Sequence, residues 1–185
     1  DKDKLKMAQK GVDNLKDIGN KFTTIAALQK GEIEANKEPL NIGQIIGQIL
    51  QRHQQKIDDK VLKINSELED ATFNTDKEKL TFILDTVIDN AIKFSKKNGL
   101  VKIQLKISTD KAQIIVEDNG IGMSEQAQKI LFKPFSRGTS TLTFDYEGMG
   151  TNLYVAKLMC SYLDANIEFE SQKDKGAKVK ITINN

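Results

Sequence analysis

Residues 113–122, Gln-Ile-Ile-Val-Glu-Asp-Asn-Gly-Ile-Gly, give the clearest indication of how this chain folds. An apolar run, Ile114-Ile115-Val116, precedes the acidic pair Glu117-Asp118, and a turn with Gly120 and Gly122 follows. This pattern predicts a buried strand that ends at a carboxylate and leads into a glycine turn. Because glycine lacks a side chain, a ligand can approach such a backbone closely. The stretch predicts the floor of a nucleotide pocket, although an ordinary turn is the commoner meaning of this pattern alone.

The composition is that of a globular domain with one additional element. Of the 185 residues, 38% are hydrophobic and 29% are charged, and 28 basic side chains nearly balance 26 acidic ones. No basic stripe with interleaved aromatic residues occurs, which argues against nucleic-acid binding. No apolar run has the length of a membrane span. The single cysteine, Cys160, excludes a disulfide framework and is interpreted as a buried structural thiol. We therefore expect a cytoplasmic location.

The first 30 residues have the pattern of one long amphipathic helix. Apolar residues recur at three- and four-residue steps across residues 3–30, and Gly31 follows. Such a helix needs a partner helix, from another subunit or a preceding segment; packing on its own domain is the alternative. The abrupt start suggests a piece of a larger protein. Residues 38–40, Glu-Pro-Leu, are interpreted as a linker between segments 1–38 and 39–185.

The rest of the chain predicts alternating helices and strands. Hydrophobic periodicity places helices at residues 42–59, 76–95, 124–131 and 151–163, and strands at 61–66, 100–107, 111–117, 166–171 and 177–183. Residues 139–147 are rich in Thr and Ser and are predicted to form a mobile loop. His53, the only histidine, has no acidic residue directly after it, and we interpret it as a solvated surface residue.

One side of the third helix carries polar residues next to its apolar stripe. Thr86, Asn90 and Lys93 stand at positions i, i+4 and i+7. A buried amide is costly unless it is paired. Either a neighbouring loop satisfies Asn90, or this side chain holds a divalent ion with Lys93 near phosphate.

A second glycine stretch leads into the fourth helix. Gly148-Met149-Gly150 precedes Thr151, where the helix begins. Backbone N–H groups at a helix N-terminus favour anions, so this is a predicted phosphate site. Arg137 is one of only two arginines and is a candidate for a bidentate anion contact, with chance as the alternative.

The order of these motifs resembles the ATP-binding catalytic domain of sensor histidine kinases, in the group shared with DNA gyrase, the Hsp90 chaperones and mismatch-repair ATPases. The likeness covers about residues 42–184. Four segments resemble the N box, the first glycine box, the F box and the second glycine box: residues 89–95, 116–123, 132–135 and 148–150. The resemblance implies an α/β (α+β) two-layer sandwich of the Bergerat type, with a mixed, mainly antiparallel sheet covered on one face by helices.

The resemblance also implies roles in binding ATP and Mg²⁺. Asp118 would accept a hydrogen bond from the adenine amino group, Gly120 and Gly122 would leave room for the purine, and Phe94 would pack near the base. Asn90 would be the metal ligand, because Mg²⁺ uses few protein oxygens beside phosphate. The implied catalytic residues are Asn90, Lys93 and Arg137, and the implied nucleotide-binding residues are Asn90, Lys93, Phe94, Asp118, Gly120, Gly122, Met123, Phe135, Gly148, Gly150 and Thr151.

The implied activity is transfer of the γ-phosphoryl group of ATP to a histidine on a helix absent from this chain. Residues 3–34 resemble the second helix of the family's dimerisation hairpin, which implies a homodimer, a phosphoacceptor-histidine helix and a response regulator as partners. The neighbours of His53 do not match the phosphoacceptor motif, so we do not assign that role to His53.

Two residues depart from the family pattern. Thr86 stands where kinases mostly have Asn and where the ATPase branch has a water-activating Glu, and Asn152 replaces the third glycine of the second glycine box. The missing Glu favours a kinase over a gyrase-like ATPase. The alternative is a degenerate module that binds nucleotide or a partner without turnover. A serine kinase of the anti-sigma-factor type shares the fold, but the helix at residues 3–30 argues against it.

Overall fold

The computed structural model describes residues 2–30, 35–133 and 151–184. The chain divides into two compact units, Asp1–Glu34 and Ala35–Asn185. Each unit is built from its own secondary structure. The assignment of these units to a dimerisation remnant and a catalytic domain stays a prediction.

The first unit is the single helix α1 (Lys2–Gln29), as the periodicity of residues 3–30 predicts. Several of its apolar side chains are more than half exposed. Leu5 is 74%, Val12 is 59% and Phe22 is 52% accessible to solvent. Leu5 and Val12 therefore leave exposed apolar surface on α1.

The second unit is a two-layer α/β domain. Its elements, in chain order, are β1 (Lys37–Asn41), α2 (Ile42–Arg52), α3 (Gln54–Asp59), β2 (Lys63–Leu68), β3 (Thr72–Asp76), α4 (Lys77–Phe94), β4 (Leu100–Ile107), β5 (Lys111–Asp118), α5 (Glu125–Gln128), α6 (Asn152–Tyr162), β6 (Ala165–Gln172) and β7 (Gly176–Asn184). The main sheet has the order β2-β4-β5-β7-β6. The β2–β4 pair is parallel, and the other three pairs are antiparallel. This mixed, mainly antiparallel sheet confirms the predicted fold class.

The core lies between one face of this sheet and the helices. Alternate residues of the central strands, such as Val101, Ile103 and Leu105 in β4, point inward and are buried. Helices α2 and α4 contribute the largest fully buried side chains on the other side, which are Ile42, Ile46, Ile49, Leu80, Ile83, Leu84, Ile88 and Ile92. Every second residue is buried in the central strands, and buried residues recur at three- and four-residue steps in the helices. Both patterns fit this two-layer arrangement.

Three parts of the predicted secondary structure are wrong. Residues 38–40, interpreted as a linker, belong to β1, which pairs with β3 in a separate two-stranded sheet. Pro39 is tolerated there because the strand has only one neighbour. The helix predicted at residues 42–59 breaks at His53 into α2 and α3. The strand predicted at 61–66 begins at Lys63, because Val61 adopts a left-handed conformation with φ of +52°.

Helix α4 begins where its sequence predicts. The side chain of Asp76 accepts a hydrogen bond from the backbone N–H of Lys79 and so caps the helix. The opposite end of α4 carries the polar residues of the predicted site. The helix packs against β5 and α6.

Candidate functional site

Asp118 lies at the end of β5 and is buried, with 9% of the residue exposed to solvent. Its Oδ1 atom accepts a hydrogen bond of 2.8 Å from the backbone N–H of Gly120, and the backbone N–H of Ala177 also bonds the carboxylate. Burial raises the pKa of Asp118 above its ordinary value; the two N–H groups oppose this shift and the charge of Glu117 adds to it. The strand thus holds a desolvated carboxylate in a fixed orientation.

The glycine turn after Asp118 is locked against the end of α4. A Cβ atom placed on Gly120 would lie 2.2 Å from the carbonyl oxygen of Phe94. The same oxygen accepts a hydrogen bond of 3.2 Å from the backbone N–H of Ile121. Gly120 is therefore required by the contact between two protein segments. Its predicted role beside a purine stays a prediction.

The second glycine of the turn contacts the β6–β7 hairpin. Gly122 has a φ of +59°, and a Cβ atom there would lie 1.9 Å from the carbonyl oxygen of Gln172. The next residue, Met123, donates its N–H to Ser171 Oγ over 2.9 Å. The turn is thus held on both sides, by α4 and by the end of β6.

Sequence analysis missed one supporting residue, Ser171. The hydroxyl of Ser171 donates a 2.7 Å hydrogen bond to the carbonyl of Gly176 while it accepts the Met123 N–H. Gly176 has a φ of +96°, and its backbone lies against the carbonyl of Asp118. A glycine between the two predicted strands at 166–171 and 177–183 is typical of a hairpin turn. Nothing in the local sequence pairs Ser171 with Met123, because the two are far apart along the chain.

Helix α4 places Asn90, Lys93 and Phe94 in its last two turns. All three side chains are half-buried, and the Lys93 ammonium lies 5.5 Å from the centroid of the Phe94 ring. Within residues 2–30, 35–133 and 151–184, the Asn90 side chain makes no hydrogen bond to the protein. This part of the chain therefore offers no loop that satisfies Asn90. Its amide oxygen is a neutral ligand of the kind that Mg²⁺ accepts.

Thr151 marks the start of α6 and is buried to 2% exposure. Its hydroxyl has no hydrogen-bond partner in the described part of the chain and does not cap the helix. A buried hydroxyl without a partner is costly, so this position fits a ligand oxygen. The other predicted residues of the phosphate end lie outside the described residues: Phe135, Arg137, Gly148, Gly150 and the loop at 139–147.

His53 is not a solvated surface residue as predicted. Its side chain is only 12% exposed, and Nε2 lies 3.1 Å from Asp85 Oδ1 while Nδ1 lies 3.5 Å from Asp89 Oδ1. The prediction was wrong because both aspartates belong to α4, which packs against the α2–α3 junction, and neighbours along the chain gave no sign of them. The described residues contain no cluster of His, Cys, Asp and Glu that could hold a metal ion.

Two expectations about the chain as a whole can also be compared with the structure. Cys160 is buried, and burial raises the pKa of its thiol to about 12, which confirms the interpretation as a structural thiol. In the parts that the structure describes, none of the helices combines the length and the apolar character needed to cross a bilayer.

Comparison with known proteins gives a consistent result. Residues 75–185, more than half of the chain, match the family described as histidine kinase-, DNA gyrase B- and HSP90-like ATPases. The autoinducer 2 sensor kinase/phosphatase LuxQ of Vibrio cholerae is 25% identical over 177 residues, which cover 92% of this chain and 21% of that protein. The chain spans between 15% and 33% of the length of the first three curated relatives it matches.

Solved structures of histidine kinases share the fold. The histidine kinase AdeS of Acinetobacter baumannii superimposes with a TM-score of 0.81 at 22% identity, covering 97% of this chain and 83% of that chain. Full-length ShkA in complex with AMPPNP has a TM-score of 0.78 at 21% identity, covering 92% of this chain and 36% of that chain. Together with the matched residues, these likenesses confirm the resemblance: the chain belongs to the family of histidine kinase-, DNA gyrase B- and HSP90-like ATPases, and its relatives are sensor histidine kinases.

Proposed function

We propose that this chain binds MgATP and transfers the γ-phosphoryl group to a histidine on a helix outside this chain. The observation that carries the proposal is the buried carboxylate of Asp118, fixed by the N–H groups of Gly120 and Ala177 at the end of a central strand. A carboxylate that is held in one orientation and away from water is a suitable acceptor for a hydrogen bond from the amino group of adenine. ShkA, which has the same fold, binds AMPPNP, an ATP analogue.

The two ends of the proposed site have different tasks. Asp118, Phe94 and the glycine turn bind the base. Asn90 holds Mg²⁺ by its amide oxygen, and the ion neutralises phosphate charge when it is bound. Lys93 and Arg137 neutralise phosphate charge, and Gly148 and Gly150 approach the phosphates. Phe135 and Thr151 complete the nucleotide-binding residues. Phosphoryl transfer asks the protein mainly for positioning and charge stabilisation, and these residue types supply both.

A second candidate function is a nucleotide- or partner-binding module without turnover. Thr86 is buried on α4 and supplies a hydroxyl where kinases mostly have an amide. Asn152 is exposed at the start of α6 and adds bulk at the third glycine position. Both residues lie toward the phosphates, so the base end of the site remains suited to binding even if transfer is slow.

The partners follow from helix α1. Its exposed apolar residues Leu5 and Val12 favour a partner helix. We propose that α1 pairs with the helix that carries the phosphoacceptor histidine, in a homodimer, and that a response regulator takes the phosphoryl group. A cytoplasmic location is part of the same proposal.

Nucleotide binding and phosphoryl transfer can be tested separately. Isothermal titration of the chain with ATP, with and without Mg²⁺, should show binding that Asp118→Asn abolishes and that Glu117→Gln, an exposed neighbour, retains. An N-terminally extended chain incubated with γ-labelled ATP should acquire acid-labile label on histidine. Binding without any label on histidine would support the second candidate function, and undiminished binding by Asp118→Asn would place the base elsewhere.

A further inference from the structure

The ammonium group of Lys60 lies at the C-terminal end of α4, the end that carries the proposed nucleotide-binding residues. It donates hydrogen bonds to three backbone carbonyls there: Ile92 at 3.1 Å, Lys93 at 2.5 Å and Ser95 at 3.0 Å. All three ammonium protons are therefore used. A cation at this position also interacts favourably with the negative end of the helix dipole.

The backbone of Lys60 holds the loop that follows α4. Its carbonyl accepts a 2.8 Å hydrogen bond from the N–H of Asn98. Lys60 thus binds both sides of the connection between α4 and β4. The carbonyl of Phe94 lies within the same segment, and it is the acceptor for Ile121 and the surface against which Gly120 rests.

The turn that directs Lys60 toward α4 is strained. The N–H of Val61 bonds the carbonyl of Asp58 and the N–H of Leu62 bonds that of Ile57, which closes α3 in the manner of a Schellman motif. Glycine is preferred at the position of Val61, yet a β-branched residue occupies it with a φ of +52°. Such strain persists where the surroundings determine the backbone.

From these contacts we infer that Lys60 is a positioning residue of the nucleotide site: it fixes residues 92–95 so that the Asp118 turn is held in its binding geometry. The inference rests on the proposed function. Lys60 contacts Lys93 through the backbone carbonyl of that residue. It acts through the backbone that carries Lys93 and Phe94 and receives Gly120.

The test compares Lys60→Met, Lys60→Arg and Lys63→Met in the whole chain. Lys63 is an exposed lysine in β2 and serves as the matched control. Lys60→Met should raise the Kd for ATP roughly tenfold, since it removes several charge-assisted hydrogen bonds. Lys60→Arg, which keeps a cation for the same carbonyls, should restore the affinity to within about threefold of wild type.

Amide hydrogen exchange separates positioning from general stability. In Lys60→Met, the amides of Ile121 and Ser95 should exchange faster than in wild type, while core amides such as that of Ile103 keep their rates. Uniformly faster exchange, or an unchanged Kd in Lys60→Met, would overturn the inference and leave the proposed function standing. Failure of the wild-type chain to bind ATP would overturn the proposed function. Unchanged exchange at Ile121 would then overturn the role of Lys60 as well.

Discussion

The backbone of Gly120 lies against the carbonyl oxygen of Phe94, so closely that a Cβ atom on Gly120 would stand 2.2 Å from that oxygen. This contact joins the turn after the buried carboxylate to the last residue of α4. It places the two halves of the proposed base-binding end in a fixed relationship. The glycine is demanded by the protein itself, whatever ligand binds nearby.

Gly120→Ala should therefore damage both stability and binding. The added methyl group has to displace either the Phe94 carbonyl or the carboxylate of Asp118, whose Oδ1 lies 2.7 Å from the same position. Forced overpacking of this kind costs about 1–3 kcal/mol. We expect the free energy of unfolding in urea to fall by that amount and the affinity for ATP to fall with it.

Gly47→Ala is the matched control. Gly47 lies in α2, where an added Cβ would meet nothing within 4 Å. Alanine is the better helix former, so this variant should gain roughly 0.5–1 kcal/mol and keep its affinity. Equal stability for Gly120→Ala and wild type would contradict the packing argument.

The elements that sequence analysis predicted best are formed by neighbours along the chain. The β4–β5 hairpin alternates cleanly and closes on itself, and its register pairs Val101 with Asp118. Helix α4 has a recognisable cap in Asp76, and Ser124 caps α5 as predicted. Local patterns determine such elements, since the residues that stabilise them lie within one or two turns.

The elements and contacts that sequence analysis missed depend on pairing between residues far apart along the chain. Strand β1 is short and contains Pro39. Its partner β3 is separated from it along the chain by α2, α3 and β2. The candidate functional site shows the same dependence. The position of Asp118 at the end of a strand was predictable from the sequence, but the hydrogen bond that Asp118 accepts from the Ala177 N–H depends on the pairing of β5 with β7. Lys60, three residues beyond a buried Ile57, looks like any surface lysine until α3 is packed on α4.

The raised pKa of Asp118 leads to a prediction about pH. The carboxylate must be ionised to accept a hydrogen bond from adenine, so ATP affinity should fall as the pH drops through this pKa, which is raised above that of an ordinary aspartate. The contribution of Asp118 to the free energy of unfolding should change with pH in the opposite direction. Because the folded state binds this proton more tightly, the stabilisation is present at low pH and is lost as the pH rises through the folded pKa.

Glu117→Gln provides the control for this titration, which is to be followed by calorimetry across acidic pH. The charge of Glu117 contributes to the raised pKa of Asp118. Its removal should shift the acidic loss of affinity to lower pH, whereas protonation of the ATP phosphates is the same for both proteins. Superimposable profiles for the variant and wild type would show that another group controls the titration.

Val61→Gly should stabilise the domain. Val61 combines a φ of +52° with 56% exposure, so glycine removes left-handed strain and sacrifices little buried surface. After allowance for the greater freedom of glycine in the unfolded chain, we expect a gain of about 1 kcal/mol in urea unfolding. Asn98→Gly is the control, because Asn98 has a similar φ of +61° but asparagine tolerates it. A loss of stability in Val61→Gly would mean that the strain argument is wrong.

His53→Ala should destabilise the contact between the α2–α3 junction and α4. The imidazole lies between Asp85 and Asp89, which are one turn apart on α4, and its removal takes one partner from each carboxylate while Arg52 and Lys56 remain beside them. We expect a loss of about 1 kcal/mol in urea unfolding, the net value of a typical intramolecular hydrogen bond, because both aspartates keep their other partners. Gln55→Ala, an exposed change in α3, should stay within about 0.5 kcal/mol of wild type. If both variants unfold at the wild-type urea concentration, the His53 contacts do not stabilise the packing of α4.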